Sequence, residues 1–89
     1  MLESVVKIQN KLGLHARAAA LLVQTSNSYE SEVTIEKDGV EVNGKSIMGL
    51  MMLAAAKGCQ VTVRASGPDE AAALAGVKKL VADKFNEGE

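Results

Sequence analysis

The dipeptide Asp38-Gly39 constrains the fold strongly, because it lies between two segments in which apolar and polar residues alternate. Asp-Gly in this setting is among the strongest short-range signals for a two-residue β-hairpin, since both central positions tolerate positive φ. The sequence therefore predicts two antiparallel strands, at about residues 32–37 and 40–43.

Periodicity predicts the other elements around this hairpin. Apolar residues alternate with polar ones at about residues 2–9 and 61–66, which predicts two more strands. Helical spacing predicts helices at 16–27, at 47–53 and from about 68 to 85, and the last of these begins at a proline that fits the first helical position. The predicted element order is strand, helix, strand, strand, helix, strand, helix.

Three helices cannot all be buried inside a domain of 89 residues, so we expect them on one face of a four-stranded, largely antiparallel sheet. The fold class is then α+β, an open-faced two-layer sandwich with the arrangement βαββαβα. The other face of the sheet should contact solvent. Polar side chains at the phase opposite to the valines would cover that face, namely Thr34, Glu36, Thr62 and Arg64.

Length and composition predict a single domain over residues 1–89 with an aliphatic core. A chain of this length buries enough surface for one core without a metal or a disulfide. Hydrophobic residues make up 47% of the chain and aromatic residues only 2%. The lone Cys59 excludes an internal disulfide and cannot bind zinc by itself, so we interpret it as a small buried hydrophobe and expect no metal and no cofactor.

The charge balance and the N-terminal residues exclude several classes of partner. The net charge is -1, whereas nucleic-acid-binding domains usually carry a basic surplus. Residues 1–5 lack the basic and long apolar segments of a targeting signal, and no segment approaches the ~20 apolar residues of a membrane span. We therefore expect a cytoplasmic protein that neither binds nucleic acid nor inserts into a membrane.

The one histidine, His15, lies where a glycine-containing turn gives way to an alanine-rich helix. A helix N-terminus offers unpaired N–H groups that attract anions, and Arg17 adds a positive charge two residues further on. A neutral imidazole is a nucleophile that can form a reactive phosphoramidate with an activated phosphoryl donor. These residues indicate a phosphate-handling site, while a histidine in this place also serves as a helix cap or a core group.

Three segments carry a resemblance to a known family. Asn10 to Arg17 (NKLGLHAR) resembles the active-site signature of the HPr family, the small phosphocarrier proteins of the bacterial phosphoenolpyruvate-dependent phosphotransferase system. Lys45 to Met51 (KSIMGLM) resembles the regulatory-serine segment of the same family, and Gly67 to Ala71 (GPDEA) resembles the start of its last helix. The resemblance covers essentially the whole chain, and two motifs in register are more specific than either alone.

The resemblance implies a phosphoryl-transfer intermediate rather than a stand-alone enzyme. His15 would accept a phosphoryl group on Nδ1 from phosphorylated enzyme I and pass it to a histidine of an enzyme IIA-type protein. Arg17 and the N–H groups of Ala16 and Arg17 would stabilise the group, and the implied strand order is 1-4-2-3. The family usually has proline after this arginine, where this chain has Ala18, and we expect a modest change in phosphate affinity.

Ser46 is interpreted as the N-cap of the second helix, whichever function holds. The resemblance adds regulatory phosphorylation of Ser46 by HPr kinase/phosphorylase, and with it a transcriptional regulator as a further partner. A phosphoserine is electrostatically tolerated at a helix N-terminus, so its effect would fall on partner binding rather than on the fold.

The predicted helix at 47–53 is too short and too apolar to bury every side chain. If Leu50 and Leu53 face the core, the other large side chains stay at least partly exposed and form an adaptable surface for several unrelated proteins. We expect a monomer whose docking surface flanks His15 beside Arg17. The docking residues would be Ala20, Ile47, Met48, Met51 and Met52.

Three alternatives stay open at this point. A regulatory paralogue of the nitrogen branch would use the same histidine chemistry but deliver the group to a different acceptor. A ferredoxin-like binding module shares the order of the first six elements, but an RNA platform needs aromatic rings on its strands, and Tyr29 and Phe85 lie outside the predicted strands. In a phosphate-binding but chemically inert domain, His15 would only cap the helix.

Overall fold

The structure, a computed structural model, describes residues 1–86. Residues 87–89, the last of the predicted domain, lie outside the described residues. The elements follow the predicted order. The strands are β1 (Leu2–Lys7), β2 (Glu32–Lys37), β3 (Val40–Asn43) and β4 (Gln60–Ser66); the helices are α1 (Ala16–Asn27), α2 (Ile47–Met52) and α3 (Glu70–Ala82), and a 3-10 turn follows at Lys84–Asn86.

The four strands form one sheet in the order β1-β4-β2-β3, and every neighbouring pair is antiparallel. This is the order that the resemblance implied. The predicted hairpin joins β2 to β3, with φ of 53° at Asp38 and 84° at Gly39. Positive φ at both central positions gives the turn the twist of the strands that it connects.

The helices cover one face of the sheet, and an aliphatic core lies between the two layers. α3 packs on β1 and β4, while α1 packs against both α2 and α3. Val63 of β4, Ala19 of α1 and Val77 of α3 are fully buried in this core. Each buried valine side chain stabilises the fold by roughly 1.5–3 kcal/mol relative to an exposed one. The α+β sandwich expected from the sequence is therefore confirmed.

The open face of the sheet is polar, as predicted, and Arg64 lies at its centre. The guanidinium donates to Glu36 of β2 and to Glu41 of β3, the latter at 3.1 Å, and its Nε lies 3.5 Å from Oε2 of Glu3 of β1. The hydrogen bond to Glu36 raises the pKa of Arg64, and the three carboxylates together keep it charged. One cation of β4 thus contacts a carboxylate from each of the other three strands.

The start of α3 differs from the prediction, because the helix begins at Glu70 and not at Pro68. Asp69 occupies the N-cap position, but its carboxylate makes no bond to its own helix. It accepts hydrogen bonds from the backbone N–H of Glu30 at 3.0 Å, from the backbone N–H of Ser31 at 2.9 Å and from the Ser31 hydroxyl. Asp69 therefore joins the start of α3 to the residues that precede β2.

The end of α3 also differs, because the helix stops at Ala82 and not at about residue 85. The backbone then turns left-handed, with positive φ at Lys84, Phe85 and Asn86. This reversal brings the ring of Phe85 into the core, where it is only 1% exposed.

Within residues 1–86, no helix has the length and apolar character needed to cross a membrane.

Candidate functional site

His15 begins and caps α1. Its backbone is extended, with φ of -82° and ψ of -179°, and its carbonyl oxygen accepts the first helical hydrogen bond, from the N–H of Ala19 at 2.8 Å. Its Nδ1 accepts a hydrogen bond from the backbone N–H of Arg17 at 3.3 Å. Because Nδ1 acts as the acceptor, this bond assigns the ring proton of the neutral imidazole to Nε2 and leaves the basic nitrogen facing the helix start.

The turn before His15 is held from two sides. The side-chain amide of Asn10 donates to the carbonyl of Gly13 at 2.7 Å, and the N–H of Leu14 donates to the carbonyl of Ala55 at 2.8 Å. Gly13 has a φ of +66°, and a Cβ at this position would lie 2.5 Å from the carbonyl oxygen of Ala55. Only glycine fits this conformation and this close approach. The histidine therefore follows a fixed turn rather than a flexible loop.

The first turn of α1 is suited to an anion. It contains no acidic residue, so no carboxylate within this turn competes for its N–H groups or for the positive end of the helix dipole. Arg17 is exposed and adds a positive charge, while Ala18 in the same turn is completely buried. The imidazole of His15, the backbone donors of the helix start and the exposed Arg17 thus belong to one turn of α1.

Ser46 caps α2, as the sequence predicted. Its hydroxyl oxygen accepts a hydrogen bond from the N–H of Gly49 at 3.1 Å, and its carbonyl accepts one from Leu50 at 3.0 Å. The neighbouring Lys45 donates from Nζ to the carbonyl of Tyr29 at 3.1 Å. A Cβ on Gly49 would lie 3.2 Å from Cβ of Val42, so this glycine lets α2 approach β3 closely.

α2 exposes the apolar side chains that were predicted from the sequence to lie at least partly outside the core. Leu50 and Leu53 are buried, whereas Met48 and Met52 are each 77% exposed. Ile47 and Met51 are 42% and 47% exposed, and Ala20 of the adjoining α1 is half-buried. We call Ile47, Met48, Met51 and Met52 the methionine surface.

Leu12 is an exposed residue that the sequence reasoning missed. It lies in the turn before His15 and is 66% exposed. The sequence held one indication of this exposure, because Leu12 is an apolar residue in a turn, where no strand or helix pattern requires one.

Two concavities of about 300 and 310 Å³ lie on the open face of the sheet, and neither is lined by His15 or Arg17. Neither residue lines the third, smaller concavity of about 180 Å³ either.

A family model for the PTS HPr component phosphorylation site matches residues 2–83. The chain belongs to the HPr family. It is 51% identical over 89 residues to the phosphocarrier protein HPr of Neisseria meningitidis serogroup A, with all of both chains covered. A crystal structure of HPr from Thermoanaerobacter tengcongensis matches with a TM-score of 0.94 and 46% identity over 98% of each chain.

Some HPr-family relatives form dimers. A crystal structure of Crh, a catabolite repression protein of Bacillus subtilis, is 48% identical, with a TM-score of 0.76, and covers 94% of this chain and 97% of that chain. That structure is a domain-swapped dimer. The family membership identifies this chain as a phosphocarrier of the phosphotransferase system, whose partners include enzyme I and enzyme IIA-type proteins. Nothing in the comparisons favours the nitrogen-branch or ferredoxin-like alternatives.

Proposed function

We propose that His15 carries the phosphoryl group of this HPr-family protein. Nδ1 attacks the phosphorus of the phosphohistidine on enzyme I, so that a new N–P bond forms as the N–P bond to enzyme I breaks. In the second transfer a histidine of an enzyme IIA-type protein attacks the same phosphorus, so that a new N–P bond forms as the N–P bond to His15 breaks. The observation that supports this assignment is the hydrogen bond from the N–H of Arg17 to Nδ1, which holds that nitrogen at the positive end of α1.

The start of α1 stabilises the group while it is bound. Once Nδ1 is bonded to phosphorus it can no longer accept the N–H of Arg17, and a phosphoryl oxygen can take its place as acceptor. The guanidinium of Arg17 and the N–H of Ala16 supply further positive potential. The helix is then capped in both states of the carrier, so that loading and unloading do not leave the first turn without an acceptor.

Partners dock on the surface beside this site. α2 packs against α1, and the segment after α2 is bonded to the residue before His15, which supports a position of the methionine surface next to the site. Flexible thioether side chains adapt to differently shaped partners, as a carrier with several partners requires. We assign docking to Ala20 and the methionine surface, and we add Leu12.

Ser46 would be the regulatory position. A phosphate on its hydroxyl would lie at the start of α2, next to Ile47 and Met48 of the methionine surface. A partner that docks there would have to desolvate a dianion, which opposes binding without disturbing the core. HPr kinase/phosphorylase and a transcriptional regulator are the partners that this proposal adds to enzyme I and enzyme IIA.

The state of assembly and the location follow the same proposal. A monomer is the proposed working form, although a crystal of the relative Crh contains a swapped dimer. Light scattering at micromolar concentration checks this directly. The cytoplasm is the proposed location, because the chain belongs to the HPr family. The proposed branch of the phosphotransferase system is the one that serves sugar uptake. A mixture of sugar-branch enzyme IIA and a nitrogen-branch acceptor, supplied at equal concentration, tests the branch by the relative rates.

The assignment of His15 is tested by labelling. The protein is incubated with enzyme I and labelled phosphoenolpyruvate, and an acid-labile, base-stable phosphate is expected on the wild type. His15→Asn removes the nucleophile but keeps a good N-cap residue, so it should lose the label while its thermal unfolding stays close to that of the wild type. Absence of label on the folded wild type would favour an inert phosphate-binding domain. Label retained on His15→Asn would place the carrier residue elsewhere.

A further inference from the structure

The chain concentrates exposed sulfur in one short helix. Three of its four methionines belong to α2, and Met48 and Met52 are the most exposed of them. Residues four apart on a helix are neighbours on one face, so these two thioethers lie side by side on the methionine surface. Met51 is about half-exposed and extends the same apolar area. Such thioethers are directly accessible to a dissolved oxidant.

We propose that the methionine surface is an oxidation-sensitive modification site, at which a hydroperoxide-class oxidant slows phosphoryl transfer. The inference rests on the docking role proposed for this surface. In the reaction the thioether sulfur attacks one oxygen of hydrogen peroxide. An S–O bond forms as the O–O bond breaks, and the proton of the transferred hydroxyl passes to the departing hydroxide, which leaves as water. The sulfur loses two electrons and becomes a sulfoxide. The product is polar and chiral where the original side chain was apolar and flexible.

The oxidised surface loses the property that makes it adaptable. A partner that packs on Met48 and Met52 removes water from them, which is favourable for thioethers and unfavourable for sulfoxides that the partner does not hydrogen-bond. The change is reversible, since methionine sulfoxide reductases restore the thioether. Docking would therefore weaken under oxidant and recover afterwards, without any change at His15.

The fold should tolerate this oxidation. α2 is attached to the core through Leu50 and Leu53, which are buried, and its first turn is capped by Ser46. The sulfurs of Met48 and Met52 belong to side chains outside the core, so an added oxygen meets solvent rather than packed atoms. The effect of oxidation therefore falls on the surface and not on the stability of the domain.

The remaining sulfur atoms provide controls. Met1 is 73% exposed, but it lines a concavity with Arg64 and Ser66, and its N-terminal amine lies 3.3 Å from Oε2 of Glu70, none of which belongs to α2. Cys59 is half-buried against the core. Oxidation of Met1 should leave docking unchanged, and a Cys59→Ala background removes the thiol from the experiment.

The test compares two proteins that both carry Cys59→Ala. One keeps the methionine surface, and the other carries Met48→Leu, Met51→Leu and Met52→Leu, which keeps the surface apolar but removes the oxidisable sulfur. Each is treated with hydrogen peroxide, freed of oxidant, and assayed for phosphoryl acceptance from enzyme I over a range of carrier concentrations. We expect the KM of the methionine protein to rise about tenfold or more on treatment and that of the leucine protein to stay unchanged. Treatment with methionine sulfoxide reductase should return the KM of the first protein to its starting value.

Each outcome has a distinct meaning. An equal KM before and after treatment, with sulfoxide at Met48 and Met52 verified by mass spectrometry, would overturn the inference and leave the carrier function intact. An equal rise in both proteins would also overturn it, because the responsible group would then lie elsewhere. Absence of label on the untreated methionine protein would instead contradict the proposed function. Thermal unfolding of the treated protein should match that of the untreated one, and a large fall would contradict the surface origin of the effect.

Discussion

The N–H of Leu14 donates to the carbonyl oxygen of Ala55 at 2.8 Å, so the residue before His15 is bonded to the segment that follows α2. This bond brings the backbone of residue 55 so close to Gly13 that a Cβ there would lie 2.5 Å from the same oxygen. The geometry of the histidine site and the position of α2 therefore depend on one close approach between two backbones.

Gly13→Ala should destabilise the protein by roughly 2 kcal/mol or more, because alanine meets both a positive φ and the carbonyl of Ala55. Gly39→Ala is the matched control: its φ is +84°, but a Cβ there meets nothing within 4 Å, so only the conformational cost of about 1 kcal/mol applies. Thermal unfolding measures both, at about 4–8 °C for each kcal/mol. Equal losses in the two variants would show that the contact with Ala55 does not matter.

Substitutions of Ser46 separate its role as a cap from the effect of charge. Ser46→Ala should lower the free energy of unfolding by about 1 kcal/mol, because the N–H of Gly49 loses its acceptor. Ser46→Asp keeps an acceptor and should retain stability, while its negative charge beside the methionine surface should slow transfer from enzyme I. Urea unfolding and phosphoryl transfer rates measure the two effects. Slow phosphoryl transfer in Ser46→Ala together with a wild-type transfer rate in Ser46→Asp would contradict this assignment.

Met48→Glu tests the docking surface directly. The residue is 77% exposed, so the glutamate should not disturb the fold, but docking would require its desolvation. We expect transfer from enzyme I and to enzyme IIA to slow by about tenfold or more. Val40→Glu introduces the same charge at an exposed position of the hairpin and should leave both rates unchanged. If Met48→Glu transferred at the wild-type rate with both partners, the docking assignment would be wrong.

Ala18→Pro restores the residue that the family usually has at this position. Ala18 lies in the first turn of α1, where an N–H has no intrahelical partner, so proline should be accepted by the backbone. It removes one donor from the helix start, and we expect the phosphoryl transfer rate to change by less than about tenfold. Rapid-quench measurement of acceptance from enzyme I checks this. A hundredfold change would show that this position controls the chemistry.

Acid should weaken the bond between the start of α3 and the residues before β2. The hydrogen bond from the Ser31 hydroxyl, followed by that from the N–H of Glu30, lowers the pKa of Asp69. A carboxylate with a lowered folded-state pKa stabilises the fold above its unfolded value, about 3.9, and loses that contribution as the pH falls through the folded value. Asp69→Asn should therefore cost stability at pH 7 and progressively less below about pH 4.

The matched control is Asp83→Asn, which removes an exposed carboxylate paired with Lys79 four residues away. Its cost at pH 7 should be small, because exposed ion pairs on a helix contribute little. Urea unfolding of the three proteins between pH 2 and pH 7 gives the comparison. A cost for Asp69→Asn that does not vary with pH would show that its charge is unimportant.

Local rules predicted the hairpin and the Ser46 cap, because a two-residue turn and an N-cap serine each act within four residues. The end of α3 was beyond such rules: continued helical spacing favoured a helix to about residue 85, but the gain from burying Phe85 in the core ended it at Ala82. The bonds of Asp69 were beyond local rules for the same reason, because only the tertiary fold brings Ser31 within its reach.

The site was predictable in part. The position of His15 at a helix start followed from glycine and alanine spacing, but the orientation of Nδ1 depends on the backbone N–H of Arg17, which no pattern encodes. The strand order came from the family resemblance, since periodicity does not say which strands are neighbours. Leu12 was missed because a single exposed apolar residue in a turn has no periodic signature.

Arg64 has a consequence for how the sheet assembles. Its guanidinium contacts one carboxylate from each of the other strands, Glu3, Glu36 and Glu41. Since side chains alternate between the two faces of a strand, a slip of one residue in any pairing would turn the corresponding carboxylate toward the helical layer and away from Arg64. In β2, where Val33 and Ile35 are buried on that side, Glu36 would become buried without a cation. The network adds little to the free energy of the correctly paired sheet, because its members are partly exposed. Its larger effect is on register, because a one-residue slip of any of the three pairings separates a carboxylate from Arg64 and so disfavours the misregistered sheet.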